Sequence, residues 1–328
     1  MSARRPEHGR VVALSGGIGG AKLALGLSRV LPAALLTVVA NTADDFEHLG
    51  LAISPDIDTL MYTLAGLDNA ATGWGRRDET WTFMRALEAV GGETWFKLGD
   101  GDLAVHVERT RRRAAGERLS DITADFSRRL GVGPRVLPMS DDAVRTRLDT
   151  DEGRLDFQDY FVRRQCRPAV RSIAFTGLDT ATPHRELMAA LADPKLRAVV
   201  ICPSNPLISI EPILALAGLR EALRGCAAPV VAVSPIIGGR AVKGPTAKML
   251  GELGIEVSAA GVARRYGDLL DAYIVEPEDA EDVRRLGLDM AVHPARTLMK
   301  TLADRAHLAQ VVLDVADRLG TARKTDRT

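Results

Sequence analysis

The residues best suited to chemistry cluster near the N-terminus of this chain. The first group is Leu14-Ser15-Gly16-Gly17-Ile18-Gly19-Gly20-Ala21-Lys22. Its glycines allow a tight turn and a close backbone approach to a ligand. A helix opening at this point would present N–H groups and a partial positive charge to an anion, with Lys22 as an added point charge. No Gly-Lys-Ser/Thr ends the loop, so it is not a Walker A motif, and it fits the dinucleotide fingerprint only loosely. The competing reading is a turn whose glycines serve packing alone. The order strand, loop, helix favours phosphate.

The second group is acidic. Asp44 and Asp45 follow a strand in Asn41-Thr42-Ala43-Asp44-Asp45, and Asp56 and Asp58 follow in Ser54-Pro55-Asp56-Ile57-Asp58-Thr59. Hard oxygen ligands beside a phosphate site suit Mg²⁺, which commonly takes one or two carboxylates plus phosphate oxygens. Asp56 or Asp58 would equally serve as a helix N-cap, and spacing alone leaves both readings open. No HxxxH or CxxC spacing occurs, which argues against zinc.

Other residues divide between site and scaffold. Trp74, Trp81 and Trp95 are the only tryptophans. They suit stacking on a flat ring, but local packing is favoured for each one taken alone. Arg76 and Arg77 have the fork that grips phosphate, and one of the two is expected in the site. The four arginines of Arg109–Arg113 read as a solvated helix face. Of the six scattered histidines, His106 follows the Lys97 segment and is the one to watch.

These groups need a scaffold to converge. Val11–Ser15, Leu36–Asn41, Ala198–Cys202 and Val230–Ser234 are apolar throughout, as strands buried on both faces of a parallel sheet are. Helical patterns follow at Ala21–Leu31, Ile210–Leu223 and Thr246–Leu253. The expected fold is α/β: a doubly wound, mainly parallel, Rossmann-like sheet. Arg145–Asp149 and Arg154–Gln158 alternate polar and apolar residues about a turn, which predicts an inserted β-hairpin. Phe161–Arg171, with four arginines, reads as a connector. The expected division is an N-terminal α/β half at 1–135, the insertion at 136–180, and a C-terminal α/β half at 181–328. Packing helices are expected near 278–287 and 296–319, and a frayed tail at 321–328.

Composition narrows the function. The 328 residues are 46% hydrophobic and 26% charged, the profile of an ordinary globular protein rather than a disordered one. Lys+Arg and Asp+Glu are 43 each, so a dedicated nucleic-acid binder is not expected. No apolar run is long enough to span a bilayer, and the polar start does not read as a signal peptide, so no membrane is expected. Three well-separated cysteines fit a reducing cytoplasm.

Nine segments in register resemble the 2-phospho-L-lactate transferase family of coenzyme F420 biosynthesis. They are Ser15–Lys22, Asn41–Asp45, Ser54–Thr59, Trp74–Thr80, Lys97–Asp102, Leu137–Asp142, Phe157–Asp159, Pro203–Pro206 and Ser234–Gly239. One departure is Ile18, where other members carry Thr or Val.

The resemblance implies a reaction. A three-carbon acid is linked through its phosphate to guanosine, as lactyl-, enolpyruvyl- or glyceryl-2-diphospho-5′-guanosine. The terminal ribityl hydroxyl of the deazaflavin Fo attacks the phosphate bearing the acid. GMP leaves, and F420-0 or its dehydro form is made. Mg²⁺ is the implied cofactor and a homodimer the implied assembly. Asp58 and Lys97 match Fo-contacting positions, and Asp58 and Asp45 are the expected catalytic carboxylates. Asp45 and Asp58, then Asp44, are the expected Mg²⁺ ligands. Ser15, Gly16, Gly17, Gly19, Gly20, Lys22 and Arg76 are expected to hold the diphosphate, and Ser204 and Asn205 the guanosine portion.

Two other readings share single features. A regulatory protein that binds nucleotide sugars would have the glycine loop and acidic segment but no use for Trp74–Thr80 and Lys97–Asp102. A nicotinamide-dependent oxidoreductase is suggested by the loop alone, with Asp44 standing where a ribose-binding acid might be sought.

Overall fold

The computed structural model describes residues 9–69, 74–242 and 244–325. The start of the chain expected to carry no signal lies largely outside them. In chain order the strands are β1 (Val11–Ser15), β2 (Leu36–Ala40), β3 (Phe46–His48), β4 (Leu51–Ile53), β5 (Arg135–Pro138), β6 (Arg145–Thr150) and β7 (Gly153–Asp156). They continue with β8 (Val170–Thr176), β9 (Ala198–Ile201), β10 (Val230–Val233), β11 (Ile236–Ile237), β12 (Arg240–Ala241), β13 (Ala272–Val275) and β14 (Ala291–Pro294). Seven form one sheet in the order β14-β13-β10-β9-β1-β2-β5, with every pairing parallel. The α/β expectation holds.

Both faces of this sheet are buried, which is why its strands do not alternate in sequence. Val12, Leu14, Val39, Val199 and Ile201 point into one core. Val11, Ala13, Val38, Ala40, Ala198 and Val200 point into the other. The period of two is present, but both sides are apolar. Helix α1 (Gly17–Val30) packs in the second core with α2 (Pro55–Ala65) and the C-terminal helix Leu302–Thr325.

Several elements differ from the sequence reading. β5 belongs to the central sheet, so the chain leaves that sheet after Pro138 rather than at 136. The hairpin is β6 and β7, and a third strand, β8, joins it in the order β7-β6-β8. The expected connector therefore ends inside a strand. Its turn places two non-glycine residues, Gln165 and Cys166, at φ of +53° and +56°. The helix expected over Ile210–Leu223 is broken into a π turn (Pro206–Ile210), Glu211–Leu214 and Leu219–Gly225, with Gly218 at φ +74° between the last two. Edge strand β14 went unread because its residues are partly exposed. The C-terminal helix runs to Thr325, into the segment expected to fray.

Within the central sheet the strand order runs outward from β1 through β2 to β5, and in the other direction from β9 through β10 to β14. The reversal lies between β1 and β9. A crevice opens outside the carboxyl ends of the strands at such a point. The loops there are Ser15–Gly17 and Pro203–Asn205.

Candidate functional site

The glycine loop is held by the protein itself. The Gly16 N–H donates to Ser204 Oγ (3.1 Å), and the Gly17 N–H donates to Asp56 Oδ1 (2.6 Å). A Cβ on Gly19 would stand 2.3 Å from the Pro203 carbonyl oxygen. One on Gly20 would stand 2.3 Å from Ser15 Oγ, and one on Gly16 would stand 2.6 Å from Ser209 Cβ. These three glycines are therefore required by packing. Gly17 is the exception, with φ +62° and nothing within 4 Å of its would-be Cβ.

Around the loop, polar atoms await a partner. Ser15 Oγ, Thr42 Oγ1 and Asn205 Nδ2 are buried with no hydrogen-bond partner among the described residues. Asn205 Oδ1 accepts the Leu207 N–H (2.9 Å) and so caps the following turn. Buried orphan groups are costly and point to an unseen partner. Lys22 differs from expectation. Its Nζ donates to the Met299 carbonyl (3.3 Å), which ties α1 to the C-terminal segment.

The acidic residues occupy four distinct environments. Asn41 Nδ2 donates to Asp56 Oδ2 (2.9 Å), so Asp56 bridges the glycine loop and the end of β2. It caps α1 from outside rather than its own helix, whose N-cap Ser54 makes no side-chain bond. Ser54 Oγ instead donates to Asp45 (2.8 Å). The other oxygen of Asp45, Oδ1, has no partner among the described residues. Thr146 Oγ1 donates to Asp44 (3.1 Å). Burial pushes the Asp45 carboxyl up to about 7 and that of Asp56 up to about 6. Burial and then the charge of Asp56 push Asp44 well above the usual range. Buried and close together, these carboxylates resist ionisation, and the charge of Arg145 offsets this only in part at Asp45.

Asp58 stands apart because a cation already holds it. Arg109, 1% exposed, closes on both of its oxygens, with Nη1 at 3.0 Å and Nη2 closer. This corrects the solvated-face reading of Arg109–Arg113. Arg111 is exposed and pairs with Glu108, but Arg112 reaches Glu117 and Asp125 and Arg109 is buried. The expected trio Asp44, Asp45 and Asp58 is also not what the fold gathers. The described side chains that converge as a metal set would, within 4.8 Å, are Asp58, Asp102 and His106. There the guanidinium of Arg109 supplies the positive charge.

Beyond Asp102 lies a cavity of about 580 Å³. Trp74, Arg76, Trp81, Arg85, Lys97 and Asp102 are among the residues that line it. Helices α3 (Thr82–Ala89) and α4 (Asp100–Ala114) shape it, each capped from the other's flank. Glu79 accepts the N–H groups of Gly101 (2.7 Å) and Asp102 (2.8 Å), while Asp100 accepts those of Thr82 and Phe83 (both 3.0 Å). Such caps satisfy the open donors of a first helical turn. Arg76 donates to the Gly101 carbonyl (3.1 Å) and lies over the Tyr62 ring at 5.5 Å, so the structure groups it with Lys97 in this cavity. Arg77 is exposed, beside Asp78.

The tryptophans divide as well. Trp95 packs with Phe46, His48 and Phe96. Trp81 packs against the Ile53, Met84 and Leu98 cluster while facing the cavity. Trp74 stands 48% exposed in the cavity wall.

The sequence reading missed Tyr62, Asp102 and Arg109. Asp102, His106 and Arg109 stand at i, i+4 and i+7, one face of a helix, a spacing that would have flagged them together.

Comparison with known proteins follows the same lines. The sequence profile of the family described as 2-phospho-L-lactate transferase CofD matches residues 11–314. A phosphoenolpyruvate transferase of Streptomyces griseus is 41% identical over 320 residues, covering 94% of this chain and 99% of its own. A 2-phospho-L-lactate transferase of Methanosarcina mazei is 38% identical over 306 residues, covering 92% and 99%. A crystal structure of a UPF0052-family protein from Bacillus halodurans superposes with a TM-score of 0.58 at 16% identity, over 93% of this chain and 98% of that one. That likeness concerns the fold alone.

Proposed function

The chain belongs to the 2-phospho-L-lactate transferase family and is a transferase, and on that premise we propose that it moves a phosphorylated three-carbon acid from a guanosine diphosphate-linked donor to the ribityl hydroxyl of Fo, in coenzyme F420 biosynthesis. The observation that carries this reading is the adjacency of two unlike sites. Orphaned polar groups and repelling carboxylates lie at the strand ends. An aromatic, cation-lined cavity adjoins them through Asp102, His106 and Asp58. A non-catalytic nucleotide sensor would have no use for the second site.

The donor's diphosphate takes the loop side, where Ser15 Oγ and the open face of Gly17 meet it, with Ser204 and Asn205 toward the guanosine. The flat ring of Fo takes the cavity, between the tryptophan faces and the charges of Lys97, Arg76 and Arg85. Asp58, its plane fixed by Arg109, faces the ribityl chain. The hydroxyl oxygen forms its bond to the phosphorus bearing the acid, the bond from that phosphorus to the oxygen of GMP breaks, and the hydroxyl proton passes to a carboxylate beside it. Such transfers depend on positioning and charge neutralisation more than on covalent catalysis. The residues present fit Mg²⁺. Asp45, with an oxygen open, and Asp44 offer hard donors whose repulsion a divalent ion would relieve. When bound, the ion supplies charge neutralisation at the phosphates. Asp58 already carries a cation, with both its oxygens on Arg109.

Among the relatives, actinobacterial proteins named phosphoenolpyruvate transferase stand at 38–42% identity. The enolpyruvyl donor is therefore the first to test. The protein is incubated with Fo, Mg²⁺ and each of the three guanylylated acids, and the product mass is read. The enolpyruvyl donor is expected to give dehydro-F420-0 and GMP. No product from any of the three overturns the reading.

A further inference from the structure

We propose that Arg109 is a positioning residue of the transfer site: it fixes the carboxylate of Asp58 and, with His106, ties it to the acceptor cavity. The inference rests on the function proposed above. Asp102, His106 and Arg109 share one face of α4 and make three successive contacts. Asp102 is part of the cavity wall, and Tyr62 Oη donates to its Oδ1 (2.6 Å). His106 Nε2 stands 3.2 Å from Asp102 Oδ2. On the other side of the ring, His106 Nδ1 lies 3.2 Å from Arg109 Nη1. A guanidinium only donates, so a hydrogen bond between the two has Nδ1 as its acceptor. Arg109 Nη1 also donates to the Ala52 carbonyl (3.3 Å). Its two terminal nitrogens are thus spent on Asp58, a backbone oxygen and the imidazole.

Stability does not explain this arrangement. A buried ion pair costs desolvation, and apolar replacements of such pairs are often neutral or stabilising. What a bidentate guanidinium adds is orientation, because its planar fork fixes the plane of the carboxylate, which an ammonium does not. Asp58 lies in the first turn of α2, two residues from the Asp56 that holds the glycine loop. Arg109 therefore links, through rigid helices, the turn that fixes the donor loop to the wall of the acceptor cavity. Attack in line with the departing GMP needs these two held in register.

The test is Arg109→Lys, which keeps the charge and loses the fork. The kcat/KM for Fo is expected to fall about 10- to 100-fold, the scale of a small misplacement in a transfer site. Binding of GDP, read by calorimetry, is expected to be unchanged. In the Asp58→Asn background the same change is expected to add no further loss of Fo binding, since Arg109 acts through Asp58. Wild-type kcat/KM in Arg109→Lys, a parallel loss of GDP binding, or losses that multiply with Asp58→Asn each overturn the proposal. Should Arg109→Lys fail to melt cooperatively, His106→Ala carries the test, because it removes the link to Asp102 while leaving the Arg109–Asp58 pair in place. Weaker Fo binding with unchanged GDP binding supports the proposal, and unchanged Fo binding overturns it. Wild-type protein assayed alongside separates this outcome from the other failure: if it transfers nothing, the function proposed above is what fails.

Discussion

The glycine-loop end and the cavity end of this molecule are built on opposite terms. At the loop, the backbone meets the Pro203 carbonyl and the side chains of Ser15, Ser204 and Ser209 at distances that admit no Cβ on Gly16, Gly19 or Gly20. Asp56, Ser204 and Asn41 fix the turn by hydrogen bonds. At the cavity, the walls are side chains, several of them exposed, around about 580 Å³ of open space. The first end specifies geometry through main-chain packing, so change there acts on the fold. The second specifies a ligand through side-chain chemistry, so change there acts on affinity. Phosphoryl transfer needs both, a fixed place for the phosphates and an adaptable seat for a large acceptor.

The sharpest way to break this contrast is at Gly19. Gly19→Val drives a side chain into the Pro203 carbonyl. It is expected to destabilise the fold by about 3 kcal/mol or more, the upper range for overpacking against groups that cannot move aside. Gly17→Ala faces open space and is expected to cost only about 1 kcal/mol for its left-handed backbone. Denaturant titration of both variants is the check, and equal stabilities would mean that the loop is not held as described.

A smaller effect, on rate alone, is expected from Asp45→Asn. It removes an open carboxylate oxygen from the proposed Mg²⁺ set and is expected to cost about 100-fold or more in turnover, with the melting temperature maintained. Single-turnover assays decide it. Near-normal turnover would move the charge-neutralising role away from the acidic cluster.

At the cavity, Lys97→Ala is expected to raise the KM for Fo about tenfold, near 1.4 kcal/mol, and to leave GDP binding unchanged. Loss of GDP affinity instead would show that the two ends are not separate.

The smallest effect is thermal. Asp45 and Asp56 hold protons more tightly when folded, at about 7 and about 6, than a free aspartate does. Their contribution to stability is fully present below the unfolded value and is lost as pH rises through 6 to 7. Mg²⁺ bound at the proposed set would relieve that loss by favouring the ionised carboxylates. Its stabilising effect is therefore expected to be larger at pH 8 than at pH 5, by on the order of 3 °C in Tm. Equal shifts at both pH values would place the ion elsewhere.

How much of this was legible in the sequence depended on distance along the chain. The strands β1, β2, β9 and β10 were readable because burial on both faces leaves unbroken apolar runs. The edge strand β14 was not, because exposure dilutes the pattern. The glycine loop was legible as a motif, but its packing was not. Glycine at 19 and 20 makes room for Pro203, Ser15 and Ser204, two of them far away in sequence and brought to the loop by the pairing of β1 with β9.

The sequence by itself determined the α/β class, the glycine loop, the acidic segments and the family resemblance, since each is written in residues close together in the chain. Only the tertiary structure decided which carboxylate meets which cation. Asp58 and Arg109 are 51 positions apart, and the spacing that groups Arg109 with Asp102 and His106 does not say that this face, rather than that of the exposed Arg111, meets Asp58. The helix turns about 100° per residue, so two residues carry Arg111 to the far side of α4, toward solvent, while Arg109 faces α2. The difference between a surface charge and the anchor of a site is set by which face of α4 packs inward.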